Sequence, residues 1–542
     1  MRLLAWAILL AAGAASAGAE GVWTCVQSAH FSVLTPAGEA HAAAWAVAME
    51  QFYQAMNAGL GRKNPPSPPP VTVVLFRRDR DFAPYRPLEH GRPARLGGFF
   101  IRADDINVIA LSLDGENAEL QRTIQHETVH WYFSTRGRPL PPWLEEGLAE
   151  AYSTFHRADA THGVFGEPIP AHLRLLRRQG LVPLEQLVAT KRGAIEYNET
   201  LRTGIFYAES WLFAHFLIFG GDSEPGQNLG RYEAALDRGM DPAEAFRRCL
   251  GSGGPDLMAK LQNYLNNQNF RHAVVPIDGG EIARSLHSRP ARPGEVELAL
   301  GSILLATRSE AEAEAHLQRA IELLPGEPRP WECLGQLDLV YSHPEAAARA
   351  YAQAADFGST NYRAFYNFAL ARLGYRPETL EEVPMAIASD VRPSLDALER
   401  ALALQPDFVA GYRIFGWLMG SSRGARPEDR ALLERGLTLA PLDLLIASGL
   451  GAAEIKTGRE ETGRLRLQRL IAAFPGDPSA YARAILQADD LDRFYRHLDA
   501  LFAGGAYGEV KLAIAQFEAT DPERAAAEWD RLQALKQRAD RR

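Results

Sequence analysis

The stretch QRTIQHETVHWYFS, residues 121–134, sets His126 and His130 four residues apart with Glu127 beside the first. No proline or glycine interrupts the text from Glu116 to Arg136, so it reads as a helix, with Asp114 placed to cap it. Residues i and i+4 share a helix face, so both imidazoles can point at one metal ion, with Glu127 as a base beside them. The neighbours Ile124, Val129, Trp131, Tyr132 and Phe133 predict a buried helix. Two histidines and a glutamate are expensive to bury without partners, and a metal supplies one.

The next segment, LPPWLEEGLAEAY (residues 140–152), follows a break from Gly137 to Pro142. A second helix starting near Pro142 or Trp143 can return a carboxylate to the two histidines. A catalytic zinc takes three protein ligands and keeps one open position. Two imidazoles and one carboxylate suit zinc, one ion per chain, better than oxygen-seeking magnesium or calcium; manganese or cobalt stays open as a substitute.

Trp143-Leu144-Glu145-Glu146-Gly147-Leu148-Ala149 resembles the W-L-x-E-G-x-A segment of gluzincins such as the aminopeptidase N family. The resemblance implies Glu146 as the third ligand. Glu145, about 100° further round the helix, is the rival. It also implies that Gly147 lets helices approach closely and that Glu150 bonds a ligand histidine from behind, which fixes its tautomer; a solvated surface acid is the alternative for Glu150. Downstream, IFYAESWLFAHFLIF (residues 205–219) is an apolar helix holding Tyr207 and His215. In several gluzincins a tyrosine after the third ligand donates to the reaction's oxyanion, and Tyr207 matches that position; a tyrosine packed in the core is the alternative. His215 is expected to be a satisfied core histidine.

Around these segments the chain falls into four regions. HFSVLT (residues 30–35) and VTVVLF (residues 71–76) read as strands flanking a helix from Glu39 to Leu60. GGFFIRADDINVIALSL (residues 97–113) reads as two strands joined by a turn at Ala103-Asp104-Asp105. Text from Asp114 to about Phe270 is mostly helical, so residues 20–284 are expected to form an α+β, zincin-like domain with a small sheet beside a helical lobe. By the family resemblance, substrate adds as a strand along the sheet edge, expected at Ile106–Leu111.

A linker is expected at residues 285–294, SLHSRPARPG. Beyond it, Gly301 and Gly335 stand 34 residues apart, as do Ala320 and Ala354, while Pro406, Pro441 and Pro475 close similar segments. A period of 34 resembles tetratricopeptide (TPR) repeats over residues 295–490, an all-α solenoid with a concave face for a protein partner. The register breaks between Gly374 and Pro393. Residues 491–542 read as a C-terminal helical segment.

With 542 residues, 46% of them hydrophobic, the chain can fill several cores. Its net charge of −9 and lack of a basic run give no sign of nucleic-acid binding. Residues 1–19, MRLLAWAILLAAGAASAGA, have the layout of a secretory signal peptide; an uncleaved anchor is the alternative. No later stretch reaches spanning length, so a soluble periplasmic or extracellular protein is expected. Three widely spaced cysteines make neither a disulfide framework nor a cysteine metal site.

The whole layout resembles exported bacterial proteins of the peptidase MA-like group: an H-F-x-V-x-T opening, a gluzincin core and trailing helical repeats. That resemblance implies zinc-dependent hydrolysis of a protein or peptide, with Glu127 as base. No G-x-M-E-N-type amine anchor precedes His126, which favours endopeptidase action. The alternative is an envelope scaffold acting through its repeats with little or no peptidase activity.

Overall fold

The computed structural model describes residues 22–539 except 62–69, 90–91, 103–105, 116–117, 135–138, 191–199, 221–222, 251–253, 268, 308–309, 375–389, 423, 477–478 and 519–521. The signal segment, the turn at 103–105, part of the break before Pro142 and most of the irregular repeat lie outside the described residues. The chain divides into two compact units, Met1–Leu380 with Pro393–Gly411, and Glu381–Arg392 with Tyr412–Arg542. It is mostly helical with a small mixed sheet, and no described helix is long and apolar enough to cross a membrane.

In the first unit, strands β1 (Thr24–Gln27), β2 (Phe31–Thr35), β3 (Val71–Phe76), β4 (Gly98–Arg102), β5 (Asn107–Ser112) and β6 (His287–Pro290) form one sheet in the order β6-β1-β2-β3-β5-β4. The central strands β2, β3 and β5 run parallel, and β4 folds back antiparallel on β5. Parallel strands covered on both faces read as near-continuous apolar runs, which is how VTVVLF and NVIALS read.

Alternate residues of these strands feed two cores. Val33, Val73 and Ile109 face helices α1 (Glu39–Gly59) and α2 (Ala118–Phe133). Leu34, Val74 and Ala110 belong to a second core shared with Ile303, Leu304, Leu317 and Leu337. Those four residues lie on the first repeat helices, Pro293–Thr307, Glu310–Leu323 and Pro328–Val340, so the sheet and the first repeats share one core.

Three expectations are corrected here. Residues 285–294 are not a linker: His287–Pro290 is β6, paired in register with β1, and Arg289 and Arg292 both bind Glu295 just beyond it. The edge strand is β4, because the β4–β5 hairpin buries Ile106–Leu111 between β3 and β4. Asp114 accepts the Asp79 N–H at 3.0 Å in a 3₁₀ turn, and α2 starts at Ala118.

The repeats begin as antiparallel helix pairs: α3 (Pro293–Thr307) with α4 (Glu310–Leu323), then α5 (Pro328–Val340) with α6 (Pro344–Asp356), followed by α7 (Tyr362–Arg372). Their small residues sit at helix contacts. A Cβ on Gly301 would lie 3.0 Å from Leu317, and one on Gly335 would lie 2.9 Å from Tyr351. Ala320 and Ala354 are fully buried. These are TPR-like helical repeats. Arg363 on α7 donates to the Ser134 carbonyl at 2.7 Å, which joins a repeat helix to the end of α2.

In the second unit, the helices Pro427–Leu439 and Glu460–Ala473 each stop two residues before Pro441 and Pro475. Lys456 donates to the carbonyls of Met419, Gly420 and Ser422, satisfying a helix end that would otherwise lack donors. No boundary falls at residue 491, because one helix runs unbroken from Ala480 to Ala503.

The helix Thr200–Phe219 buries Glu209 completely. One carboxylate oxygen accepts the Val182 N–H at 2.8 Å, while burial pushes the carboxyl up to about 7. The folded protein therefore holds a proton that the unfolded chain releases. This contribution is complete below about pH 4.5 and lost as pH rises through about 7. Glu209→Gln should raise the melting temperature at pH 8, by roughly 2–3 kcal/mol of stability, and change it little at pH 4.5. Equal shifts at both values would show that ionisation is not involved.

Candidate metal centre

Helix α2 puts His126 and His130 one turn apart, with ring centroids 4.9 Å from each other. The following helix, Pro142–Tyr152, crosses back with three carboxylates in one short segment. Trp143 anchors it: the indole is fully buried and stacks on Phe213 at 4.8 Å. Gly147 lets it lie directly on the helix Thr200–Phe219, since a Cβ there would be 2.4 Å from the Ser210 carbonyl oxygen and 2.8 Å from Ala214.

The result is a triangle of donor atoms. Nε2 of His126 and Nε2 of His130 are 3.2 Å apart, and each is 3.4 Å from Oε2 of Glu146. His126, His130 and Glu146 are the one metal-competent trio of His, Cys, Asp and Glu side chains among the described residues. Tetrahedral zinc, with bonds of about 2.0–2.1 Å, has ligand-to-ligand edges of about 3.3 Å. The trio therefore fits that ion in donor type, number and spacing. Burial pushes the Glu146 carboxyl up, yet its hydrogen bonds to His126 and His130 hold it at about 2.

Each imidazole is also held from behind. Nδ1 of His130 lies 3.2 Å from Oε1 of Glu145, and Nδ1 of His126 lies 3.6 Å from Oε1 of Glu150. Carboxylates there favour protonated Nδ1 and leave both Nε2 lone pairs aimed at the Glu146 side. Glu145 thus binds the back of a histidine and is not in the donor trio. Glu150 continues outward to His172 Nε2 at 3.2 Å and Arg122 at 4.0 Å. Burial raises its carboxyl, but the bond to His172 and the charges of His126, His172 and Arg122 hold it below the usual range.

The roles of Glu145, His172 and Arg122 escaped the sequence reading. A carboxylate directly before the third ligand was the available signal for Glu145; His172 is brought in by tertiary packing alone. Glu127 is half-buried and makes no hydrogen bond or ion pair among the described residues. Tyr207 is half-buried, packed on the core and edge-on to Phe206. His215 is a satisfied core histidine: it is fully buried, its ring nitrogens meeting the Gly166 carbonyl at 2.6 Å and the Tyr264 hydroxyl at 2.8 Å.

Gly147→Ala should separate the two helices, because the added methyl meets a backbone oxygen that cannot move cheaply. The expected loss is about 1–3 kcal/mol of stability, together with weaker zinc binding as Glu146 withdraws. Melting and metal-competition titrations would measure both. A variant unchanged in both would show that the contact at Gly147 does not position Glu146.

No protein-family model matches this chain, and no curated relative matches it. Among solved structures, the crystal structure of yeast Tom70 is 12% identical, covering 60% of this chain and 72% of that one with a TM-score of 0.18. Agreement that low carries no statement about the fold or function of this chain.

Proposed function

We propose that this chain is an exported zinc-dependent peptidase, of endopeptidase type, with its repeats serving as a protein-binding surface. The observation that carries the reading is the triangle of His126 Nε2, His130 Nε2 and Glu146 Oε2, with edges of 3.2–3.4 Å. Bound there, zinc would acidify water and polarise a scissile carbonyl. His126, His130 and Glu146 would hold the ion, with Glu145 and Glu150 fixing the imidazoles. The Glu127 carboxylate, next to the first histidine and unpaired among the described residues, would take a proton and return it to the leaving amine. Tyr207 is the proposed oxyanion donor, and the outer edge of β4 is the proposed seat for an extended substrate.

Metal analysis of the purified chain should find about one zinc per molecule, as a single catalytic site requires. His126→Ala or His130→Ala should abolish it and Glu146→Ala should weaken it strongly. Full retention in Glu146→Ala would remove Glu146 from the ligand set. A metal-free wild type inert towards unfolded casein would instead favour the scaffold reading.

A further inference from the structure

Behind the metal helix lies a cavity of about 210 Å³ between α1, α2 and Phe155. Its walls are Trp45, Met49, Phe52, Ile124 and Phe155. An apolar cavity of about 150 Å³ already takes a benzene ring, so this one can hold a single large apolar side chain. On α2 it is lined by Gln121, Ile124 and Gln125, which at 3.6 residues per turn face roughly away from His126 and His130. It is therefore separate from the donor triangle.

Of the polar groups around the cavity, those at its mouth define what else an occupant must carry. Gln51 lines the cavity and is 1% exposed, and its Oε1 has no hydrogen-bond partner among the described residues. That oxygen is itself closed to solvent and is out of an occupant's reach. The exposed mouth carries His41 and Arg157, and no lining residue is an Asp or Glu. That mouth suits an anion and offers nothing to a free ammonium group.

We propose that this cavity binds the C-terminal residue of a peptide with a large apolar side chain. The side chain fills the apolar walls, and the residue's carboxylate meets Arg157. An acylated nitrogen is required, because a free α-amine would enter as a cation with no acid to receive it. The site does not depend on the peptidase reading, since none of its residues belongs to the donor triangle.

The test uses the full chain and N-acetyl-L-phenylalanine as probe, with N-acetyl-L-phenylalanine amide as its uncharged counterpart, by calorimetric titration. Saturable binding of the acid is expected, with the amide weaker by about tenfold, the weight of one charge-assisted hydrogen bond. Arg157→Gln should erase the difference between the two probes. Ala48→Phe, at an exposed rim position, should fill the cavity and abolish binding. His126→Ala should bind the acid as the wild type does. The proposal is overturned if acid and amide bind alike, if binding survives Ala48→Phe, or if it disappears in His126→Ala, which would place the probe at the metal centre. The comparison of acid with amide needs no variant, so it stands even if Ala48→Phe folds poorly.

Discussion

Glu127→Gln should keep about one zinc per chain while hydrolysis of unfolded casein falls by roughly 10²- to 10⁴-fold, the range for removing a general base. The proposed roles of metal ligand and general base separate at this position for a structural reason. Glu127 shares its helix with both histidines but lies outside the trio of His126, His130 and Glu146. It is half-buried and outside the donor triangle, and the isosteric amide keeps its shape. Melting temperature and zinc content should therefore match the wild type. An unchanged rate in a zinc-loaded variant would assign the activity to a contaminant or to another site. Parallel loss of zinc and activity would show that Glu127 supports the metal.

Deleting residues 293–542 should yield an aggregating fragment and not a stable peptidase domain. The cut removes Ile303, Leu304, Leu317 and Leu337, which cover Leu34, Val74, Val108 and Ala110 on the outer face of the sheet. Each large side chain returned to water costs about 1.5–3 kcal/mol, so Leu34, Val74 and Val108 alone take up much of a typical domain stability of about 5–15 kcal/mol. The cut also removes Arg363, which donates to the Ser134 carbonyl at the end of α2. Expression followed by size-exclusion chromatography and thermal melting would decide it. A soluble, cooperatively melting, zinc-binding fragment would show that the repeats are an appended module after all. Truncation after the first unit's repeats should be far better tolerated, because it leaves this core covered.

Much of the centre was legible because its signals are local. Helix periodicity alone brings His126 and His130 to one face, and a short break followed by Trp143 and Gly147 announces a second helix pressed against its neighbours. Glu145 and Glu146 were harder to separate. Both carboxylates belong to the site, one among the donors and one behind His130, and only the crossing of the two helices distributes them. The edge strand was misread for a related reason. A short, near-continuous apolar run marks Asn107–Ser112 as a strand, but which side its partner takes depends on the direction in which the hairpin folds back.

The residues by themselves determined the helix and strand periods, the kinds and spacing of the three donor side chains and the 34-residue spacing of the repeats. These rest on neighbours within one or two helical turns, or on self-similarity along the chain. The tertiary structure alone decided that His172 backs Glu150, that Gln51 is left with an unpaired oxygen beside an apolar cavity, and that residues 287–290 close the sheet. It also decided that repeats and sheet share a core. VTVVLF and NVIALS are apolar on both faces, which says that something covers each face but not what. The covering residues lie some 200 positions further along the chain, and a hydrophobic contact carries no directional code that would name them in advance.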